Sequence, residues 1–429
     1  MRLTLVADNS TSSNWGCRAT SFALREVLSR KHEFVASIDR ALLQAPLTFR
    51  SRVPPRWHQE AVRRFHRPRI VRMPAVGSAA VRALGMLGGY WLPSHDVEQE
   101  ADILWSARHS SPKARQIHAA IEPCDAIVVN GEGEMIFSSP ARPTLLQTLA
   151  ICLLAHRMGK QVFWLNGIIS LAPDSPLNRA TVSLAGRVLA DARIVVRDPL
   201  SLSVACDLFA GHVEEMVPDA LFSWSHRFAP EAGLPYDASR LTAWFDRTGA
   251  GRPPCTDDPF LVLSGSSLSA KDQIRAAACY TRLAERLKGL GLPVLLVETC
   301  IGDKFLREVG RRTDLPVLGV DVPIMAGAAI LANARAFVSG RWHPGIMAAM
   351  GGTPSVVMGS NSHKTRALPQ MLRSPDSTEH SAFPDEAAVE EIVAATKLRL
   401  EGGEEQRAAI ASRAAELAGE VPRLLDLVA

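Results

Sequence analysis

The sequence lacks several features that would assign it to a broad class at once. No run of about 18 uninterrupted apolar residues occurs among its 429, so no membrane-spanning helix is expected. The opening MRLTLVADNSTSSNWG turns polar too soon for a signal peptide and reads as a first strand. Seven cysteines (17, 124, 152, 206, 255, 279 and 300) include no C-x-x-C pair. An odd, dispersed set argues for reduced thiols, against a disulfide frame or zinc site, and for a cytoplasmic setting. There is no Asp-rich metal cluster, no repeat at solenoid period and no long low-complexity tract. A net charge of +4 is too small to imply nucleic acid, and no nucleic-acid module signature is present.

What is present is a globular composition, 47% hydrophobic and 21% charged, with apolar material for two cores. Charge is unevenly spread. Eight arginines and a single acid, Glu60, lie between Arg50 and Arg72, a local +7 that leaves the rest of the chain at −3. This stretch reads as a solvated insertion. The alternative is a surface for anionic lipid or a phosphate-bearing carrier, which would put the protein peripherally at the inner face of the membrane.

Along the chain, short apolar segments alternate with helical ones. RLTLVAD (2–8), DAIVVNGEGEM, QVFWLNG (161–167) and RIVVRDPLS read as strands of a first half, with helices at 18–30, 145–159 and 178–192. Residues 40–120 look irregular, and 226–256 read as a linker rich in Pro, Gly, Asp and Arg. The alternation resumes with PFLVLSGSS, PVLLVET, PVLGVD, RAFVSG and PSVVMG, and the stretch from Glu386 to Val428 is Ala- and Glu-rich and helical. Such alternation is the signature of parallel, helix-covered sheets. The expected class is therefore α/β. Two Rossmann-like domains, 1–225 and 257–385, stand in a GT-B-like arrangement with a helical tail, 386–429.

In open α/β sheets ligands sit beyond the carboxyl ends of the strands, so those loops were read for chemistry. SGRWHPG, after one such strand, opens a helix whose free N–H groups favour an anion. Gly340 allows close backbone approach, Arg341 offers a bidentate fork, and His343 can donate a proton near neutral pH. Lys364, after the next strand, would arrive beside His343, while His363 reads as a loop residue. Arg197 ends a strand as an anion binder, with Asp198 orienting it or capping the helix, and Ser201 as a cap. Asn14 and Gly16 close the first loop. Gly131, Glu132 and Gly133 form a Gly-rich turn without the dinucleotide pattern, and Glu132 reads either as an exposed acid or as a carboxylate aimed at a sugar hydroxyl.

Taken together NWGCRAT, DAIVVNGEGEM, ARIVVRDPLS, VPDALFS and above all SGRWHPGIMAAMGGTPSVVMGSNSHK resemble the polysaccharide pyruvyl transferase family. They run in family order and touch most of the chain outside 40–120 and the tail. The resemblance implies a GT-B-like transferase of exopolysaccharide or other cell-surface glycan synthesis. It would move an enolpyruvyl-derived group from phosphoenolpyruvate to a sugar hydroxyl pair of a glycan or lipid-linked saccharide. By that resemblance Arg197 and Arg341 hold the donor's phosphate and carboxylate, helped by Lys364 and Gly340. His343 is then the acid, and Asn14, Gly16, Gly131, Glu132 and Gly133 lie on the acceptor side. Two positions depart from the pattern: Cys17 stands where the family usually has an acid, and Glu132 where many members carry a third glycine. Both bear on the acceptor.

The chemistry suits these residues. Phosphoenolpyruvate is a compact trianion that needs several fixed cations. Protonating its methylene creates an oxocarbenium-like centre, a step for which an imidazolium is worth roughly 10²–10⁴-fold. No cofactor or metal is required. Two other readings remain: a glycosyltransferase using a nucleotide sugar, for which Glu298 is the candidate ribose-binding carboxylate, and a non-catalytic glycan- or phosphate-binding protein.

Overall fold

The computed structural model describes residues 1–45, 47–48, 90–91, 96–137, 141–172, 179–209, 213–228, 238–374 and 378–428. The first half opens with β1 (Arg2–Asp8) and β2 (Glu33–Asp39), followed by a short antiparallel ribbon of β3 (Leu47–Thr48) and β4 (Tyr90–Trp91). Then come β5 (Ala126–Phe137), β6 (Gln161–Leu171), β7 (Arg193–Val196) and β8 (Val213–Met216). Apart from the ribbon these form one parallel sheet of order β2-β1-β5-β6-β7-β8. The second half contributes β9 (Leu261–Ser266), β10 (Val294–Val297), β11 (Val317–Leu318), β12 (Ala336–Gly340) and β13 (Ser355–Val357). Their sheet is also parallel, of order β11-β10-β9-β12-β13.

Each sheet winds outward in one direction and then returns to wind in the other. The reversals fall between β1 and β5 and between β9 and β12. A crevice opens at the carboxyl edge of a sheet at such a reversal, because the flanking loops diverge to opposite faces. The two lobes meet with these edges facing each other, which is what brings the predicted loops together.

Several sequence expectations are corrected. Residues 97–121 are helical, not irregular: Val97–Ser106 buries Val97, Ala101 and Leu104, and Pro112–Ile121 buries Ala114, Ile117 and Ile121. Their apolar residues recur at helical spacing, but polar neighbours mask the pattern. β2 was not anticipated either, because EFVASID is a half-exposed edge strand with little continuous apolar character. The presumed linker holds the helices Ser225–Phe228 and Ala238–Thr248; Leu241 and Phe245, one turn apart, are buried in the core. The first helix starts at Trp15, one turn early, because the Asn14 side chain accepts from Cys17 N at 3.3 Å and caps it. The basic stretch Arg50–Arg72 lies outside the described residues.

The C-terminal segment is part of the core. Glu386–Glu401 packs on the second lobe through Val389 and Ile392. Gly403–Glu420 and Leu424–Leu427 cross back to the first lobe. There Ile410, Ala414, Leu417 and Leu424 join Trp15, Leu28, Phe222 and Trp224 in one apolar cluster that also takes in Ile346 and Leu368. Arg193 Nη1 donates to Leu427 O at 2.7 Å, and Lys31 Nζ pairs with Asp426 at 2.9 Å. Trp15 drives the lobe contact. Its ring lies against Gly327, where a Cβ would come within 2.7 Å of it, and its indole donates to Val320 O at 2.9 Å. No described helix is long and apolar enough to cross a membrane.

Candidate active site

The facing sheet edges enclose a cavity of about 320 Å³. The first lobe lines it with Asn9, Asn14, Cys17, Glu132, Glu134, Arg142 and Arg197, and the second with Arg341, Trp342, His343, Asn361 and Lys364. Among the described residues of the first lobe, Ala7 in β1, Glu132 within β5 and Asn166 within β6 have φ of 58°, 31° and 56°, and of these Glu132 lines the cavity. Non-glycine residues in this left-handed region mark places where the surrounding structure over-determines the backbone, often at functional sites.

At the centre is Asp219, fully buried after β8. Its Oδ2 accepts from Arg197 Nη1 at 3.0 Å and from Trp342 Nε1 at 2.9 Å, and lies 3.3 Å from His343 Nε2. Its Oδ1 accepts from Thr20 Oγ1 and Leu221 N, each at 3.0 Å. Burial disfavours its charge, but His343 and Arg197 outweigh burial and hold the carboxyl well below the usual range. Arg197 Nη1 is also 3.0 Å from His343 Nε2, and its guanidinium stacks 5.0 Å from the Trp342 ring. With Nε2 keeping its proton and donating it to Asp219, Nδ1 is the nitrogen left to gain and lose a proton. Gly16 packs directly against that side of the ring: a Cβ at position 16 would sit 2.5 Å from Nδ1.

The second cation is anchored differently. Asp303, fully buried, grips Arg341 Nη2 through one oxygen and accepts from Thr299 N and Oγ1 at 3.1 and 2.9 Å through the other. Burial works against the Arg341 charge, yet the Asp303 carboxylate holds its pKa above the ordinary arginine range. The Nε atoms of both Arg197 and Arg341 are buried without a partner among the described residues. Orphaned donors on two converging guanidiniums fit a bound anion. Lys364 completes the group: burial first, then Arg341, Arg197 and Arg142, push its pKa down to about 7. Its Nζ donates to Asn361 Oδ1 at 2.8 Å. Arg142, itself lowered by burial, donates to Gly133 O at 2.7 Å.

Arg197, Arg341, His343, Lys364, Asn14, Glu132 and Gly133 thus share one cavity wall. Gly16, Gly131 and Gly340 are not among its lining residues. Gly131 packs against Trp164 and Gly167, and Gly340 against Ser266 and the carbonyls of Met358 and Gly359. Both glycines let neighbouring strands and loops pack closely. Asp198 caps the helix Pro199–Leu208, accepting from Ser201 N at 2.8 Å, and does not orient Arg197. His363 is a buried partner of Asp198 and Ser201 outside the cavity. Sequence reasoning missed Asp219, Asp303 and Arg142. Each ends a loop at the carboxyl edge, and Arg142 stands just before Pro143, which opens a helix; that placement is the signal that could have found them.

The family model for polysaccharide pyruvyl transferase matches residues 23–362. The chain belongs to the polysaccharide pyruvyl transferase family, a family of transferases. A search of curated proteins finds no match. Among solved structures the chain is similar to the UDP-GlcNAc 2-epimerase of Neisseria meningitidis bound to UDP-GlcNAc, with 8% identity and TM-score 0.53, covering 100% of this chain and 99% of that one. It is also similar to the S. aureus MnaA–UDP co-structure, with 10% identity and TM-score 0.50, covering 99% and 97%. These likenesses establish a GT-B-like fold.

Proposed function

We propose that this protein transfers pyruvate as a ketal from phosphoenolpyruvate to a pair of sugar hydroxyls on a cell-surface glycan or its lipid-linked precursor. The observation that carries this reading is the convergence of Arg142, Arg197, Arg341 and Lys364 with His343 on one small cavity. Its size and charge suit a three-carbon trianion. Arg197 and Arg341 bind phosphate and carboxylate, with Lys364 drawing its proton back as the anion arrives. His343, oriented by Asp219, delivers a proton from Nδ1 to the donor methylene. One sugar hydroxyl then adds to the cationic carbon, inorganic phosphate leaves with its charge met by the fixed guanidiniums, and the second hydroxyl closes the ketal. The nucleotide-sugar alternative loses its candidate: Glu298 is fully buried and bound by Arg307 through two hydrogen bonds of 2.7 and 2.8 Å.

The test is phosphate release from phosphoenolpyruvate in the presence of a crude glycan acceptor, for the wild type, Arg341→Ala and His343→Ala. Acceptor-dependent release that both substitutions abolish is the expected result. Turnover of a sugar nucleotide with none of phosphoenolpyruvate would reject the reading.

A further inference from the structure

We propose that Glu132 is the base that takes the proton from the attacking acceptor hydroxyl, and that its strained backbone exists to hold the carboxylate in that place. The proposal rests on the ketal-transfer reading above. Glu132 interrupts β5 at φ 31°, in a region where glycine sits without penalty and a longer side chain does not. Strain of this kind persists where the side chain it presents is needed.

What surrounds the carboxylate points to the same role. Glu132 is only 5% exposed and lines the cavity, yet among the described residues no cation pairs with it. The nearby cations are committed elsewhere: Arg40 to Glu134 at 3.0 Å, Arg142 to Gly133 O, Arg197 to Asp219, and Arg341 to Asp303. Glu132 is held by neutral donors instead. Its Oε1 accepts from Asn9 Nδ2 at 2.8 Å and Asn130 Nδ2 at 3.2 Å. Cys17, in the first turn of the helix Trp15–Leu28, lines the same cavity, and burial and then the Glu132 charge push its thiol pKa up. Neutral donors fix the carboxylate's position while leaving it unpaired with a guanidinium among the described residues. Beside it Asn9 Oδ1 is buried with no partner among the described residues, although its amide nitrogen is occupied by Glu132. A carboxylate and an orphaned amide oxygen together offer acceptors to hydroxyl donors. They would repel a second carboxylate, so the acceptor presents neutral sugar hydroxyls at this wall.

The protons balance. The donor methylene gains one proton from His343. Each of the two sugar hydroxyls loses one on forming its C–O bond, the first to Glu132. Over a full turnover one hydroxyl proton ends on the new methyl group, by way of His343, and the other on the departing hydrogen phosphate.

The experiment uses the full chain with phosphoenolpyruvate and a glycan acceptor. Glu132→Gln, which keeps size and hydrogen bonding, should lower kcat by roughly 10²–10³-fold. Its KM for phosphoenolpyruvate and its melting midpoint should stay near wild type. Because Cys17 and Glu132 line the same cavity, a carboxylate placed at 17 would face the same corner. The double variant C17D/E132G should therefore recover at least about tenfold of the rate that E132G loses. A Glu132→Gln enzyme within about threefold of wild type, or a double variant no faster than E132G, overturns the base. A wild-type chain that turns over no phosphoenolpyruvate removes the reaction itself, and the base with it.

Discussion

Two aspartate–histidine pairs join the lobes, and they differ in what their imidazoles are left free to do. In both, a histidine at the start of a helix after a second-lobe strand meets a buried aspartate from a loop after a first-lobe strand. His343 Nε2 meets Asp219 at 3.3 Å, and His363 Nε2 meets Asp198 at 3.2 Å. The first pair is flanked by Arg197 and Trp342 and lines the cavity. The second is closed by Ser201, whose hydroxyl donates to Asp198 at 2.6 Å and lies 3.1 Å from His363 Nε2. A carboxylate beside an imidazole is thus no signature of catalysis. The pair can do chemistry only where a second nitrogen reaches a substrate space and a cation lies beside it.

Substitutions can break that contrast. The largest effect is expected at His343: His343→Gln should lower kcat by roughly 10²–10⁴-fold in the phosphate-release assay, whereas His363→Gln should leave it within about threefold. Equal losses would erase the distinction. Asp219→Asn keeps the shape but removes the charge that steadies imidazolium and guanidinium together, and should cost about 10²-fold in kcat. A melting midpoint near that of the wild type separates this from a folding defect. His363→Ala should lower the unfolding free energy by about 1–2 kcal/mol, read by urea denaturation, with little change in kcat.

The smallest effect concerns Lys364. Its folded pKa lies near 7, whereas an unfolded lysine titrates near 10.4. Between pH 7 and 9 the unfolded chain therefore holds more protons, so the ligand-free protein should gain stability as pH rises through that window and lose it again as pH falls towards 7. Lys364→Met should flatten the rise in a melting series. Added sulfate, which draws the proton back onto Lys364, should raise the melting midpoint more at pH 6 than at pH 9.

Strand–helix alternation made the two parallel sheets legible, and their carboxyl-end loops pointed to Arg197, Arg341 and His343. The residues that went unread are those whose meaning depends on a distant partner. Asp219 stands in an ordinary Pro-Asp-Ala turn until folding sets Arg197, Trp342 and His343 around it. Asp303 is one acid in a polar loop until Arg341 arrives. Gly131 and Gly340 misled for the opposite reason: a glycine at a strand end signals close approach, but not whether a ligand or a neighbouring strand makes it.

The return of Gly403–Glu420 and Leu424–Leu427 to the first lobe sets an order of assembly. The face formed by Trp15, Phe222 and Trp224 is synthesised well before the helices that cover it. Until that clasp arrives the nascent first lobe carries an open greasy flank, a natural station for a chaperone and the point from which an interrupted polypeptide would begin to aggregate.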